Sequence, residues 1–174
     1  MTPPPLRYRW IPNPIGAFAL CEAASGAVTT RWVWSGDRAS WAAGGVETDD
    51  LRPDVAADLG RYFAGEPVAF GLAGPEDPPF FARCWRACRS IPRGQTRTYG
   101  DLAKLAGGDG RAARAAGQSM RRNPLPVIVP CHRVVSSTGA LHAYAGQQDA
   151  ASEPLRVKQA LLALEGARSG LGCW

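Results

Sequence analysis

The part of this sequence best equipped for chemistry is the run VPCHRVV at 129–135, in which a cysteine, a histidine and an arginine follow one another as Cys131, His132 and Arg133. A thiol with a pKa of about 8.5 is mostly protonated at neutral pH, and it becomes a good nucleophile only when a base or a positive charge lowers that value. His132 and Arg133 are neighbours of both kinds. On a strand, however, adjacent residues point to opposite faces, so His132 can act on Cys131 only through a turn after the strand or through a bridging water. Three readings stay open on these residues alone: an activated thiolate, half of a metal site, or a small buried cysteine with a basic neighbour. A zinc site needs more ligands, and the chain offers only one other histidine, His142, and scattered thiols at Cys21, Cys84, Cys88 and Cys173. A thiol hydrolase would in addition need an oxyanion hole.

Several elements must position this run. The segment NPLPVIVP (123–130) reads as a proline-punctuated apolar strand that delivers Cys131 at its end, a usual place for a reactive group. Downstream, SEPLRVKQALLALEG (152–166) reads as a helix with Ser152 as a candidate cap, Pro154 in the first turn and Gly166 as the stop. Glu165 then lies at the C-terminal end, where the helix dipole disfavours a carboxylate, so a specific partner is expected for it. Upstream, Thr98 and Asp101 have capping-box spacing and open a helix to about Ala106. Gly107-Gly108 breaks it, and Asp109 caps a second helix from about Gly110 to Arg122, closed by Asn123 and Pro124. Two short helices joined by a glycine turn form a helix-turn-helix signal. Arg111, Arg114, Gln118 and Arg121 follow one face of the second helix, while Ala112, Ala113, Ala115, Ala116 and Gly117 leave its backbone almost bare. Small residues allow close approach to a duplex, and arginines reach phosphates and bases. In FFARCWRACRSI (80–91), another helix, Cys84 and Cys88 stand at i, i+4 with no second ligand pair, which favours burial as small apolar residues.

Charge separates the chain. Residues 1–80 carry 6 Lys and Arg against 10 Asp and Glu, whereas residues 81–125 carry 10 against 2. A net +8 over 45 residues, nearly all arginine, is the footprint of a polyanion-binding surface. At 174 residues, 45% hydrophobic and 20% charged, the chain is long enough for one domain or two small ones and is neither disordered nor fibrous. It has no repeat and no apolar run that could span a bilayer. The opening MTPPPLRYRW has no basic-then-apolar leader, and five cysteines without a framework spacing suit reduced thiols, so a cytoplasmic protein is expected. In the first part, residues 16–34 read as a hairpin broken at AASG, with VTTRWVWSG the stronger strand. RPDVAADLGRYFAG (52–65) reads as a helix begun near Pro53 and stopped by Gly65. PVAFGL (67–72) reads as a further strand, and AGPEDPP (73–79) as a linker. The expected organisation is a small α/β domain over 1–79, followed by a mostly α domain with the helix-turn-helix over 80–174.

Taken together, PLPVIVPCHRVVSSTGAL with TYGDLAKLAG and RAARAAGQSMRRNP upstream, and YAG and LEG downstream, resembles the O6-alkylguanine-DNA alkyltransferase family, the methylated-DNA–protein-cysteine methyltransferases. The resemblance covers about residues 80–166; over 1–79 it rests only on a small α/β domain. It implies a ribonuclease-H-like first domain and a winged-helix-like second one. It also implies a DNA repair protein that flips O6-alkylguanine out of duplex DNA and moves the alkyl group irreversibly to Cys131 in a single turnover. In that family pattern His132 is the base, working through a water, with Glu165 orienting its other nitrogen. Tyr99 donates to guanine N3, and Asn123 ties the helix-turn-helix to the active-site strand. Arg114 is the finger that fills the space of the flipped nucleotide, with Arg111, Ala113, Ala115, Gln118, Arg121 and Tyr99 on the DNA. Met120, Pro126, Val134, Leu141, Tyr144 and Ala145 fall at the substrate pocket. The implied partner is double-stranded DNA carrying O6-alkylguanine, bound through its minor groove by a monomer, with no cofactor, metal or membrane; in a bacterium the protein would be nucleoid-associated. The non-catalytic counterpart, a damage sensor or helix-turn-helix regulator, resembles the family but lacks the acceptor cysteine. Two departures bear on the pocket: Gln147 stands where the family has a second glycine, in a longer loop over 146–153, and His142-Ala143 stands where Gly or Asn is usual.

Overall fold

The computed structural model describes residues 6–37, 44–74, 76, 78–138, 141, 144 and 152–167. The chain divides into two compact units, Met1–Leu72 and Ala73–Trp174.

In the first unit the described strands are β1 (Leu6–Trp10), β2 (Phe18–Glu22), β3 (Val28–Trp32) and β4 (Gly45–Glu47), followed by helix α1 (Pro53–Phe63). They form a mixed sheet in the order β3-β2-β1-β4, antiparallel except for the parallel β1–β4 pair. The expected hairpin is β2–β3, turning at Ala23–Ala27 with Gly26 at φ 79°. β2 is buried on both faces. Period-two alternation sends Phe18 and Leu20 one way, where Phe18 meets Trp32 and the α1 residue Phe63 with ring centroids 4.7 and 5.4 Å away. Ala19 and Cys21 point the other way and pack with Tyr8, Leu6 and Trp10. β4 lies so close to β1 that a Cβ on Gly45 would sit 2.8 Å from the Leu6 carbonyl oxygen, so glycine is required there. α1 follows the reading of 52–65, with Pro53 in its first turn and Gly65 at φ 93° beyond its end. The strand expected at 67–72 does not form. Phe70 packs instead with its ring centroid 6.0 Å from that of Tyr62, and the sheet ends at β3 and β4 without recruiting this backbone.

The second unit contains α2 (Pro79–Arg89), β5 (Arg97–Thr98), α3 (Tyr99–Leu105), a 3-10 turn at Gly110–Ala112, α4 (Ala113–Arg121), a second 3-10 turn at Cys131–Arg133, β6 (Val134–Val135) and α5 (Glu153–Leu164). Thr98 and Asp101 make both bonds of a capping box: the Thr98 hydroxyl accepts from the Asp101 N–H at 3.1 Å, and the Asp101 carboxylate from the Thr98 N–H at 3.1 Å. Gly107 turns the chain at φ 76°. Asp109 accepts from the Arg111 N–H at 2.9 Å, so it caps a 3-10 turn rather than the helix itself, and α4 starts three residues later than expected. α2 is joined to α4 by the Trp85 indole N–H, which donates to the Ser119 carbonyl at 2.9 Å. Cys84 and Cys88 are fully buried on the inner side of α2.

The short parallel pair β5–β6, with Arg97 opposite Val134 and Thr98 opposite Val135, brings the start of α3 beside the residues that follow Cys131. The expected strand over 123–130 is a different object. Among the described residues its pairing is an isolated bridge between Pro126 and Val129, and Val127 turns through φ 76°. Asn123 imposes this course: its side-chain amide donates to the Val129 carbonyl at 2.8 Å while its oxygen accepts from the Leu125 N–H at 2.9 Å. A left-handed φ is costly for a β-branched residue, and burial of Val127 and its neighbours in the core holds it there.

Candidate active site

Cys131 does not end a strand; it opens the 3-10 turn 131–133, so His132 is carried round to the same buried region rather than to an opposite face. The turn that adjacency required is therefore built into the reactive run. Cys131 is buried, its Sγ 4.0 Å from the Tyr144 hydroxyl. Burial pushes the thiol pKa up, while hydrogen bonds from Asn123 and Tyr144 and the charge of Lys158 act to lower it. At rest the group is thus a thiol that needs a base.

His132, next in sequence, is fully buried, and its Nε2 lies 2.9 Å from Glu165 Oε1. Burial holds the imidazole below its ordinary pKa against the pull of Glu165, and Arg133 and Lys158 push the same way as burial. Glu165 is the C-cap residue of α5. Burial alone would raise its pKa, yet hydrogen bonds from His132 and Arg133 hold the carboxyl well below the usual carboxylate range. The partner expected for a carboxylate at this unfavourable helix end is therefore present, and it is double. Arg133 donates through Nε to Oε2 and through Nη2 to Oε1, both at 2.8 Å, and through Nη1 to the Ile91 carbonyl at 2.6 Å.

Two contributors escaped the sequence reading. One is the Arg133 fork, visible beforehand only as a basic neighbour. The other is Lys158, fully buried on α5, which donates through Nζ to the Val134 carbonyl at 2.7 Å. Burial lowers its pKa to about 8, with Cys131 and Cys88 acting in the opposite direction. A signal for it existed: Lys158 is three residues after Leu155 and three and four before Leu161 and Leu162, a core position of the helical stripe. At the other end of α5 the hydroxyl of Ser152 makes no cap bond, although Ser152 is the N-cap residue and Pro154 lies in the first turn.

Tyr99 is the first residue of α3, half-buried, with its pKa raised to about 12 by burial and by the nearby thiols Cys131 and Cys88. It is therefore a hydrogen-bond donor at every physiological pH. Gly117 on α4 faces its ring, so the helix backbone approaches Tyr99 closely. Arg114, Gln118 and Arg121 on α4 and Arg111 on the 3-10 turn before it are all exposed. Ala113 and Ala115 are half-buried beside them, whereas Ala116 is fully buried and belongs to the core rather than to the bare face. Met120 and Val134 are buried, and Pro126 and Leu141 half-buried. Ala145, His142, Ala143 and Gln147 lie outside the described residues. Among the described residues no group of three or more His, Cys, Asp or Glu side chains could hold a metal ion.

A family model described as "6-O-methylguanine DNA methyltransferase, DNA binding domain" matches residues 79–167. This chain belongs to that family. Among its relatives, a methylated-DNA–protein-cysteine methyltransferase of Methanosarcina acetivorans is 35% identical over 161 residues, covering 92% of this chain and 98% of its own. One of Mycolicibacterium paratuberculosis is 37% identical over 167 residues, covering 92% of each chain. The crystal structure of Mycobacterium tuberculosis OGT in complex with DNA aligns with TM-score 0.73 at 33% identity over 92% of both chains. Family membership thus spans both units of the chain. No described helix is long and apolar enough to cross a membrane.

Proposed function

We propose that Cys131 is the alkyl acceptor of a DNA repair reaction and that His132, Glu165, Tyr99 and Asn123 serve it. The chain is a methylated-DNA–protein-cysteine methyltransferase, which repairs DNA by moving an alkyl group to one of its own cysteines. The observation that carries the assignment of Cys131 is a buried thiol on the same turn as His132, which is itself paired with the buried Glu165 at the end of α5. In the first step the Cys131 proton passes through a water to His132 Nδ1 while Glu165 holds Nε2. The thiolate attacks the alkyl carbon, the carbon–O6 bond breaks, and its electron pair stays with guanine. Tyr99 gives a proton to guanine N3, so guanine leaves neutral, and the imidazolium returns a proton to Tyr99. The thioether is stable, which makes the reaction single-turnover. Tyr144, within reach of the sulfur, lines the substrate pocket, to which Met120, Pro126, Val134, Leu141 and Ala145 are also assigned.

The target carbon is inside the duplex, so the nucleotide must be extruded. The exposed arginines of α4, separated by small residues, support docking of this helix on duplex DNA, and its low-relief surface suits the minor groove. A monomer suffices for this. The working compartment is the one that holds the chromosome, the cytoplasm in a bacterium. The sheet of the first unit, three antiparallel strands with a parallel β4 and a following helix, supports a ribonuclease-H-like reading. The α3–α4 pair beside β5–β6 supports a winged-helix-like reading of the second, with the domain border in the 73–79 linker.

Two measurements test the DNA-facing part. With Arg111, Arg114, Arg121 and Arg122 supplying about 3 phosphate contacts, log affinity for duplex DNA falls with log salt at a slope of roughly −3. A flat salt response contradicts the α4 footprint. Arg114 should matter for extrusion more than for encounter, because a planar, charged side chain can stack in the gap that the base leaves. Arg114→Ala is expected to slow repair of alkylguanine in duplex DNA by at least about tenfold, or ~1.4 kcal/mol, with reaction of free O6-benzylguanine nearly unchanged. Equal losses on both substrates would assign Arg114 to the fold or the pocket instead.

A further inference from the structure

The Glu165 carboxylate has more partners than a base-orienting group needs. Its Oε1 faces His132 Nε2 at 2.9 Å and also accepts from Arg133 Nη2 at 2.8 Å, while Oε2 accepts from Arg133 Nε at 2.8 Å. The His132 and Glu165 side chains are fully buried and that of Arg133 is 12% exposed, so little water screens the three. In such surroundings an uncompensated carboxylate against an imidazole draws a proton onto the ring. An imidazolium at rest has no site for the Cys131 proton, and the transfer cycle cannot begin. A cation that binds the same carboxylate through both oxygens removes that pull without breaking the orienting hydrogen bond.

We infer that Arg133 is a positioning residue for the repair reaction: its two-pronged bond to Glu165 neutralises that carboxylate and keeps the adjacent His132 in the neutral form able to accept the thiol proton. The inference rests on the reading of His132 as the base. Arg133 is itself braced. Nη1 donates to the Ile91 carbonyl at 2.6 Å, and the same loop sends Arg93 Nη2 to the Leu164 carbonyl at 2.8 Å. Gly94, at φ 78°, lies so close to the end of α5 that a Cβ there would stand 3.2 Å from the Glu165 carbonyl oxygen. Both arginines thus offset the negative end of the helix dipole where Glu165 sits. The other titratable or charged groups facing this cluster are Lys158 from α5, Cys131 on the same turn and Cys88 from α2. Lys158 pushes His132 in the same direction as Arg133 but bonds to Val134 rather than to the carboxylate. The fork of Arg133 on Glu165 is accordingly the contact to remove.

A purely structural role for Arg133 would also lower activity when lost, so the readout must be the proton on His132. The chain has only two histidines, His132 and His142. Histidine ring signals of the full-length, isotope-labelled protein can therefore be titrated by NMR and assigned with a His142→Gln variant. Wild type, Arg133→Gln and Arg133→Lys are compared, without DNA, and single-turnover rates on a duplex containing O6-methylguanine are followed over the same pH range. Wild-type His132 is expected to be neutral at pH 7. Arg133→Gln is expected to raise its proton affinity at least about tenfold, one pKa unit, and to move the acid limb of the rate profile upward by the same amount. Arg133→Lys keeps the charge and is expected to stay within about threefold of wild type in proton affinity. An Arg133→Gln rate lowered equally at all pH with an unmoved His132 titration overturns the inference. Should that variant not fold, a wild-type His132 protonated at pH 7, or an Arg133→Lys titration shifted as far as a full unit, overturns it as well. Because the titration needs no substrate, it stands apart from the function: a Cys131 adduct with an unmoved titration sinks only the role of Arg133.

Discussion

Cys131→Ser is expected to abolish alkyl transfer while leaving affinity for duplex DNA within a few-fold of wild type. A hydroxyl is a far weaker nucleophile than a thiolate and gives up its proton far less readily to the same base. The exposed surface formed by Arg111 on the 3-10 turn and Arg114, Gln118 and Arg121 on α4 is separate, and the substitution leaves it intact. Single-turnover transfer and a binding isotherm on the same duplex check both halves. Continued transfer by the variant would implicate another thiol. Cys88, fully buried on α2, is the thiol whose pKa is raised first by burial and then by Cys131.

His132→Asn carries the second large effect, a loss of about 10²–10⁴ in transfer rate at pH 7, the usual worth of a positioned general base. The pH dependence gives this prediction its sign. Burial raises the Cys131 pKa, so without the imidazole only a small fraction of the thiol is ionised at pH 7, and that fraction grows about tenfold per pH unit until the thiol pKa is passed. The variant's rate should therefore climb with pH and approach wild type above the ordinary thiol range. Wild type, in which neutral His132 already serves as base, should be much flatter between pH 7 and 9. A deficit that stays constant with pH would mean that His132 holds the fold rather than the proton. Asparagine leaves the Arg133–Glu165 bonds in place, so no buried carboxylate is stranded.

How much of this was legible in the sequence depends on how local its cause is. The capping box of Thr98 and Asp101, the glycine stops at 65, 107 and 166, and the β2–β3 hairpin each follow from a few adjacent residues, and all were readable. The Glu165 partner was readable in kind, because a carboxylate at a helix C-terminus needs an explanation. The 3-10 turn at Cys131–Arg133 was not, since periodicity cannot tell an apolar strand from an apolar segment folded back on a single asparagine. Asn123 reaches forward to Leu125 and Val129 and converts the expected strand into a turn with Val127 at φ 76°. β1 and β4 went unread for a related reason: LRYRW and GVE have strand character only through their neighbours in the sheet. PVAFGL failed in the opposite sense, a short apolar run that pairs with neither edge strand of the sheet. The burial of Lys158 was signalled by its place in the helical stripe, but its bond to Val134 and the Arg133 fork depend on where α5 returns in space, which no window along the chain reports.

The central claim is that this protein takes an alkyl group onto Cys131 and keeps it. Its most direct test is the intact mass of the protein after incubation with excess duplex DNA containing O6-methylguanine, followed by peptide mapping. The expected result is a gain of one CH2 unit per chain, complete when one equivalent of lesion is consumed, with the added group on the peptide carrying Cys131. An unmodified protein that still binds the lesion tightly would make it a damage sensor. An adduct on Cys21, Cys84, Cys88 or Cys173, or repair that continues beyond one equivalent, would contradict the assignment of Cys131 as a single-use acceptor.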